Sequence, residues 1–227
     1  MIIEVIVQTV DDARAATDGG ADRLEVVRAI GDGGLTPSRS VVDAIKNATS
    51  LPLRVMVREN AGFETSEAEL EVLRAAAWNL TRLGVDGLVA GFARDGQLSL
   101  GEFAAVIEAA PGIPVTFHRA FDSLADPLAA IDRLSVNPRI DRILTSGGTG
   151  SVEERRDCLR QYVAQAGPRL TIIAGGGVEL EMFGLLVQQQ TVREIHVGRA
   201  ARDGNNPEGP VSAASVRRLR DLADGKS

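Results

Sequence analysis

The chain has 227 residues, of which 44 % are apolar, and this is enough to bury a sizeable core. Its formal net charge is −6, its acidic and basic residues are interspersed, and it has no long basic run, which argues against nucleic acid and anionic membranes as partners. No apolar run approaches the roughly 20 residues that span a bilayer.

The N-terminal segment MIIEVIVQTVDDAR lacks the basic region and the long apolar run of a secretory signal. The single cysteine, Cys158, has no second cysteine with which to form an internal disulfide. Both features are typical of a reducing compartment, so we expect a cytoplasmic protein.

Short β-rich runs alternate with segments of helical spacing along the whole chain. In chain order the runs are IIEVIV (2–7), RLEVV (23–27), LRVMV (53–57), GLVAG (87–91), VTFH (115–118), RILTS (142–146), TIIAG (171–175) and EIHVG (194–198). Among the helical segments, residues 66–84 have the clearest pattern, with Leu70, Leu73, Ala77 and Leu80 at helical spacing and Gly84 at the end.

Strand–helix alternation implies parallel strands joined by right-handed crossovers. Eight such units without a linker-like stretch predict an α/β fold, the (β/α)8 TIM barrel, as a single domain over residues 1–227. An open doubly wound sheet is the alternative, although no GxGxxG motif follows the first strand. In a barrel, function is found at the carboxyl ends of the strands and in the loops after them.

Side chains alternate along a strand, so residues two positions apart point to the same face. Charged residues interrupt several of the predicted strands at positions that would share a face. If these residues point inward, two carboxylates and both histidines converge at one end of the barrel, and a general acid–base site results. A layer of satisfied ion pairs, or hydrogen-bonded core histidines, is the structural alternative. The candidate catalytic residues are His118, Glu4, Glu25, His196, Glu194 and Arg119, with Arg23, Arg54 and Arg142 as further positive partners.

Two histidines and a glutamate would also suit zinc or iron at an open site. Neither an HxH nor an HExxH spacing supports a metal, and the sequence identifies no cofactor. If a metal binds, His118 and His196 are its candidate ligands.

Glycines follow the last three strands, where barrel enzymes often bind phosphate through backbone N–H groups. The same glycines would also suit simple tight turns. We therefore expect a small anionic ligand, and the candidate substrate-binding or phosphate-binding residues are Arg23, Arg58, Thr145, Ser146, Gly147, Gly175, Gly176, Gly177, Gly198 and Arg199.

The segments GADRLEV, GGLTPS, VTFHRAFD, RILTSGG, AGGGV and EIH occur in an order and at intervals that resemble the CutC copper homeostasis family, from Glu4 to about Gly198. The resemblance implies a TIM barrel, a cytoplasmic location, copper binding and a homodimer or higher homo-oligomer. The positions that match the family's polar residues and glycines are Glu4, Arg23, Glu25, His118, Arg119, Asp122, Thr145, Ser146, Gly147, Gly175, Gly177, Glu194 and His196.

The chain departs from the family pattern at two places. The family's cysteines in the first two strands correspond to Ile6, Val7 and Val27, so a thiolate site, which copper(I) favours, does not carry over. In the family's RPR segment, Arg58 keeps the first arginine, while Glu59 or Asn60 replaces the second.

The residues favour an acid–base enzyme that acts on a small anionic metabolite, such as a phosphorylated one. Here His118 is the general acid or base and Glu4 or Glu25 orients it, while isomerisation, aldol-type cleavage and hydrolysis all stay open. A non-catalytic copper-binding protein is the alternative that the family resemblance implies. A barrel retained as a regulatory or interaction module is the third hypothesis.

Overall fold

In a computed structural model of the chain, which describes residues 1–226, eight parallel strands close into a barrel. The strands are β1 Ile2–Val7, β2 Arg23–Val26, β3 Leu53–Met56, β4 Gly87–Ala90, β5 Val115–Phe117, β6 Ile140–Thr145, β7 Thr171–Ala174 and β8 Glu194–Val197. Each strand pairs with its neighbours in sequence, and β8 closes the barrel against β1. The predicted (β/α)8 fold is therefore confirmed, and the open doubly wound sheet is wrong.

A helix follows each strand and packs outside the barrel. The helices are α1 Val10–Gly19, α2 Arg39–Ala48, α3 Glu67–Leu83, α4 Leu100–Ala109, α5 Pro127–Ser135, α6 Val152–Ala166, α7 Leu180–Gln188 and α8 Ala213–Ala223. A small antiparallel hairpin of Ala93–Arg94 and Gln97–Leu98 comes between β4 and α4. Within residues 1–226, no helix is long and apolar enough to cross a membrane.

Helix α3 shows how local sequence signals set the ends of an element. Ser66 and Glu69 form a capping box, in which each side chain accepts a hydrogen bond from the other residue's backbone N–H. Gly84 ends the helix in the left-handed conformation that glycine adopts without strain. The predicted helix therefore forms, and its buried face includes Leu73 and Ala77.

Apolar packing is divided between the outside and the mouth of the barrel. The main core lies between the strands and the helices, and it contains the outward-facing Ile3 and Val5 of β1. A separate small cluster contains Ile6, Met56 and Val89, which face inward near the carboxyl ends of their strands. Below this cluster the interior of the barrel is polar, and this polar layer forms the base of the candidate site.

The pairing of β5 with β6 contains an irregularity that brings an extra charge inward. Val115 pairs with Ile140, but Thr116 pairs with Arg142, so the register skips Asp141. A skipped residue of this kind is a β-bulge, and it releases the strict alternation of side chains. Asp141 and Arg142 therefore both take part in the interior charge network.

The first and last helices of the barrel pack closely at Gly19. A Cβ atom added at Gly19 would lie 2.8 Å from the backbone oxygen of Ala213 and would also overlap Val216. We expect Gly19→Ala to push α1 from α8 and to lower the free energy of unfolding by about 1–3 kcal/mol, measured by urea denaturation. The matched control is Gly184→Ala in the middle of α7, where an added Cβ meets nothing within 4 Å.

The control substitution removes a flexible glycine from a helix interior, so it should leave stability unchanged or raise it by up to about 1 kcal/mol. Equal changes in the two variants would contradict close packing of α1 on α8.

Candidate functional site

The base of the site is a layer of ion pairs that crosses the barrel interior. Arg23 donates from Nε to Glu4 and from Nη2 to Glu194 Oε2, the latter at 2.5 Å. Arg142 Nε donates to the same Glu194 oxygen at 2.9 Å. Because buried charges are costly unless paired, this arrangement holds four strands, β1, β2, β6 and β8, in a fixed geometry at the amino-terminal side of the interior.

A second part of the layer crosses to the opposite strands. Arg54 of β3 donates from Nη1 and Nη2 to the two carboxylate oxygens of Asp141, at 2.9 and 2.5 Å, and from Nη1 to Thr116 Oγ1 at 3.2 Å. Arg142 also donates to Asp141. The bidentate pair joins β3 to β6, and Gly87 of β4 leaves the space through which the Arg54 side chain passes.

Above this layer, His196 lies between two carboxylates. Its Nδ1 is 2.9 Å from Glu4 Oε1 and 3.3 Å from Glu25 Oε2, and all three side chains are buried. Burial opposes the charged form of His196, but the Glu25 and Glu4 carboxylates outweigh it and raise the pKa of His196. In Glu4 the pKa is lowered, because Arg23 and His196 outweigh the effect of burial.

Glu25 has the opposite electrostatic environment from Glu4, although the two carboxylates share one histidine. Burial, reinforced by the negative charge of Glu4, raises the pKa of Glu25 to about 7, against the opposing effect of His196 and Arg23. Glu25 Oε2 is buried and has no hydrogen-bond partner among the described residues. Two carboxylates with separated titrations are a common arrangement in acid–base sites.

A cavity of about 370 Å³ opens above this cluster at the carboxyl ends of the strands. Glu25 and His196 contribute to it from within the strands, and Ile6, Met56 and Leu144 add apolar surface. The remaining predicted site residues that line it follow the strands: Arg58, His118, Arg119, Gly176, Gly177, Gly198 and Arg199. The volume suits a small metabolite.

His118 lies on the far side of this cavity from the carboxylates that were expected to orient it. Its Nδ1 accepts a hydrogen bond from the backbone N–H of Ala120 at 3.1 Å, which caps the short turn Arg119–Ser123. The structure pairs Glu4 and Glu25 with His196 instead. Burial, with the positive charges of Arg58 and Arg119, lowers the pKa of His118 to about 3, which does not suit a general acid or base near neutral pH.

Two arginines, Arg58 and Arg119, give the cavity positive charge. Arg58 is buried, donates to the backbone oxygens of Gly33, Ala61 and Gly62, and stacks over Phe63 at 5.0 Å. Burial and the charge of Arg119 lower the pKa of Arg58, yet an arginine stays charged at neutral pH.

Arg119 is half-exposed and forms a 3.0 Å ion pair with Asp122. Asp122 also accepts hydrogen bonds from Thr145 Oγ1 at 2.6 Å and from the Ser146 N–H at 3.1 Å. The Thr145 hydroxyl in turn accepts from the Gly147 N–H. The predicted binding residues Thr145, Ser146 and Gly147 therefore position Asp122 and, through it, Arg119.

Glycines follow β7 and β8 near the rim of the cavity, and at two of them a side chain would collide with a neighbour. A Cβ at Gly175 would contact Leu144 and His196, and one at Gly176, where φ is +75°, would overlap the Arg119 guanidinium. Within residues 1–226 the N–H groups of Gly176 and Gly177 donate no hydrogen bond. Arg199 is half-exposed and pairs with Glu179 at 3.1 Å.

The remaining candidates lie below the cavity and do not line it. Glu4, Glu194 and Arg23 belong to the ion-pair layer, which agrees with the structural alternative for these three residues. Sequence reasoning missed Asp141, because the bulge hides its inward direction. It also missed Arg155 of α6, which donates to the backbone oxygens of Ser146 and Gly176 at 2.8 Å each and so links two rim loops.

One group of side chains in residues 1–226 has the spacing of a metal site. One ligand atom each of Glu4, Glu25 and His196 lies within 4.8 Å of the others. Both Glu4 oxygens are already engaged, by Arg23 and by His196, and the guanidinium would repel a cation. Copper(I) prefers thiolate or thioether ligands, and Cys158 lies on the outer helix α6, so these residues do not fit copper(I).

Comparison with known proteins identifies the family. A family model described as the CutC family matches residues 1–201. The chain is 37 % identical over 215 residues to a family protein CutC of Xanthomonas campestris, which covers 94 % of this chain and 86 % of the relative. It is 34 % identical over 205 residues to the human copper homeostasis protein cutC homolog, covering 89 % of this chain and 75 % of the relative.

Solved structures agree at the level of the fold. The crystal structure of CutC from Streptococcus agalactiae has a TM-score of 0.80 at 24 % identity, over 86 % of this chain and 97 % of that one. Thiamine phosphate pyrophosphorylase from Pyrococcus furiosus has a TM-score of 0.62 at 15 % identity, over 99 % and 96 % of the two chains. These structures are similar in architecture, and the sequence matches show the family: the chain belongs to the CutC family of copper homeostasis proteins.

Proposed function

We propose that this chain is an enzyme that moves a proton on a small anionic metabolite, with Glu25 as the acid–base group. The observation that carries the proposal is the Glu25 carboxyl group itself. It is buried, its Oε2 lies 3.3 Å from His196 Nδ1 but accepts no hydrogen bond among the described residues, and it lines the cavity with a pKa raised to about 7. A carboxyl group with these properties accepts and releases a proton near neutral pH.

The charge around the cavity supports an anionic substrate. Arg58 and Arg119 line it together, and the burial of Arg58 weakens the screening of its charge by water. Among the described residues that line the cavity, Glu25 and Asp32 are the acidic ones. The N–H groups of Gly176 and Gly177 add donors of the kind that bind phosphate or carboxylate oxygens.

His196 gives Glu25 a neighbour that also contacts Glu4. The raised pKa of His196 favours its imidazolium form, and the lowered pKa of Glu4 favours its carboxylate form. Of the two carboxyl groups, Glu25 is the one whose pKa is raised to about 7. The ion-pair layer below keeps this cluster rigid, which lowers the reorganisation needed for proton transfer.

Copper binding is the second candidate, and two observations favour it. The human relative is named as a copper homeostasis protein, and Glu4, Glu25 and His196 have the spacing of a metal site. In this candidate the ion is the protein's cargo and the carboxylate–imidazole donor set would take copper(II). The engagement of Glu4 with Arg23 weighs against it.

The first prediction concerns anion binding and uses two arginines with matched surroundings. Arg119 and Arg94 each have a side chain that is 51 % exposed and forms one ion pair, but only Arg119 lines the cavity. In titration calorimetry with 2-phosphoglycolate, we expect Arg119→Gln to weaken binding about tenfold, as loss of a charge-assisted hydrogen bond does. Arg94→Gln should bind as the wild type does, and an equal loss in both variants would contradict a specific anion site.

The second prediction compares the two carboxylates through stability and pH. The pKa of Glu25 is raised from 4.5, so its stabilising effect is complete below pH 4.5 and is lost as pH rises through about 7. Glu25→Gln should therefore raise the free energy of unfolding by about 1–3 kcal/mol at pH 8 and change it little at pH 4.5. Urea denaturation at the two pH values measures this.

Glu4→Gln is the control and should have the opposite sign. Its lowered pKa means that ionised Glu4 stabilises the fold above pH 4.5 and that this stabilisation is lost as pH falls. Removal of one partner from the buried pair with Arg23 should cost about 3–5 kcal/mol at pH 7. If both variants were destabilised equally at pH 8, Glu25 would be an ordinary structural carboxylate.

The third prediction separates the two candidate functions. In competition titrations against chelators of copper(I) and of copper(II), we expect no stoichiometric binding of either ion, because the cavity lacks thiolate ligands and Arg23 already engages Glu4. A one-to-one copper complex that survives the chelator and disappears in His196→Gln would favour copper handling over acid–base chemistry.

A further inference from the structure

The protonation state of His118 follows from one contact. The backbone N–H of Ala120 can only donate, and it donates to His118 Nδ1 at 3.1 Å. Nδ1 must therefore be unprotonated, and in the neutral ring the single hydrogen lies on Nε2. The contact is local, since Ala120 is two residues away and belongs to the turn Arg119–Ser123 that His118 caps. The turn thus selects one tautomer before any ligand arrives.

The side of the ring that carries this hydrogen has no hydrogen-bond partner among residues 1–226. His118 lines the cavity, and its Nε2 is buried without a hydrogen bond among the described residues. Such groups are uncommon in proteins, because a buried donor without a partner is costly. A ligand oxygen is the kind of partner that this donor needs, and because Nε2 is shielded from solvent, that oxygen must displace a neighbouring side chain of the cavity wall to reach it. One side chain beside the ring is Phe63. Its ring centroid is 5.6 Å from that of His118, it is half-buried, and it lies on the loop after β3.

The neighbours of the ring keep it neutral and in place. The charged groups near it are Arg58 and Arg119, whose positive charges oppose a second proton on the ring. Phe63 and Phe117 pack against its faces and edges. Gly91, directly after β4, makes room for it, because a Cβ there would lie 2.7 Å from Nδ1. No carboxylate hydrogen-bonds to His118 within residues 1–226.

We propose that His118 is a neutral hydrogen-bond donor whose Nε2–H binds the carbonyl oxygen of the substrate, while Glu25 moves a proton on the adjacent carbon. This deepens the proposed function and rests on it, because it names the substrate class as a small anionic carbonyl compound. Glu25 and His118 line the same cavity, and so do the arginines that would hold the anionic group.

This assignment implies that the substrate reacts through an enolate. The C–H bond next to the carbonyl breaks, and its proton goes to a carboxylate oxygen of Glu25. The electron pair of that bond forms a carbon–carbon double bond, and the carbonyl oxygen takes the negative charge of an enolate. The His118 N–H and the nearby arginine charges stabilise that oxygen without giving up a proton. Return of the proton from Glu25 to the enolate oxygen gives the enol, which is an isomer of the carbonyl compound, and needs no other reactant.

The test begins with the wild-type protein, which has only two histidines. Nitrogen-15 NMR of histidine-labelled protein should show His118 with an unprotonated Nδ1 and a protonated Nε2, unchanged from pH 5 to pH 9. His196→Gln assigns the signals. An Nδ1–H tautomer, or a ring that takes up a second proton between pH 5 and pH 7, would overturn the proposal.

The second arm tests the donor with 2-phosphoglycolate, which carries both a phosphate and a carboxylate. On binding, the Nε2–H proton signal should move downfield, as it does when a hydrogen bond forms. His118→Phe, which keeps a ring but lacks the donor, should weaken binding at least tenfold, and His118→Gln, which restores an N–H donor, should recover part of the loss. Gly91→Ala, which displaces the ring, should resemble His118→Phe.

The donor role of His118 and the acid–base role of Glu25 are contradicted by different results. If the tautomer and the downfield shift are observed but Glu25→Gln binds and behaves as the wild type in every assay, the donor assignment holds and the acid–base function fails. If the Nε2–H signal does not respond to the bound anion, and His118→Phe binds it as well as the wild type, the donor assignment fails, whatever the role of Glu25.

Discussion

The buried ion-pair layer across the barrel is the constraint on which the rest of the site depends. Most of the interior of a barrel of this kind is filled by branched apolar side chains. Here Arg23 bridges Glu4 and Glu194, and Arg54 reaches Asp141 from the opposite strand. Because these charges satisfy one another, the layer is rigid, and it leaves the carboxyl ends of the strands for a cavity with different chemistry.

The ion-pair layer also explains why the pKa values of Glu4 and Glu25 are shifted in opposite directions. Glu4 has a guanidinium on one oxygen and an imidazole on the other, so its negative charge is stabilised. Glu25 faces the same imidazole but has no guanidinium contact, and burial dominates its titration. The histidines diverge in the same way: His196 lies between carboxylates, whereas His118 lies among arginines and accepts from a backbone N–H. Position in the barrel, rather than residue type, assigns each a chemical role.

The sequence was sufficient to predict the barrel, because eight strand–helix units and the glycine stops have local physical causes. The alternation of side chains along the strands was also sufficient to predict that Glu4, Glu25 and His196 converge. It was insufficient for Asp141, since a bulge in the pairing of β5 and β6 breaks the alternation on which parity depends. It was likewise insufficient for the partner of His118, because His118 follows its strand and its Nδ1 bonds to a turn whose geometry the spacing does not reveal. Arg155 was missed because its long side chain reaches the rim from a helix outside the barrel.

Family membership and the physics of the site address different questions. The family model and the relatives place the chain among the CutC proteins, and the cavity shows what its own residues can do. The positions at which the resemblance would place cysteines hold Ile6, Val7 and Val27, and the first of these lines the cavity as an apolar side chain. The site is consequently better suited to an organic anion than to a soft metal ion.

The central claim is that the Glu25 carboxyl group is poised to exchange a proton near neutral pH. Its most direct test is carbon-13 NMR of glutamate-labelled protein, titrated from pH 3 to pH 9 and compared with the Glu25→Gln variant. The account predicts one carboxyl signal that titrates near pH 7 in the wild type and is absent from the variant. If every glutamate carboxyl group titrates below about pH 5, as unperturbed glutamates do, the account is contradicted.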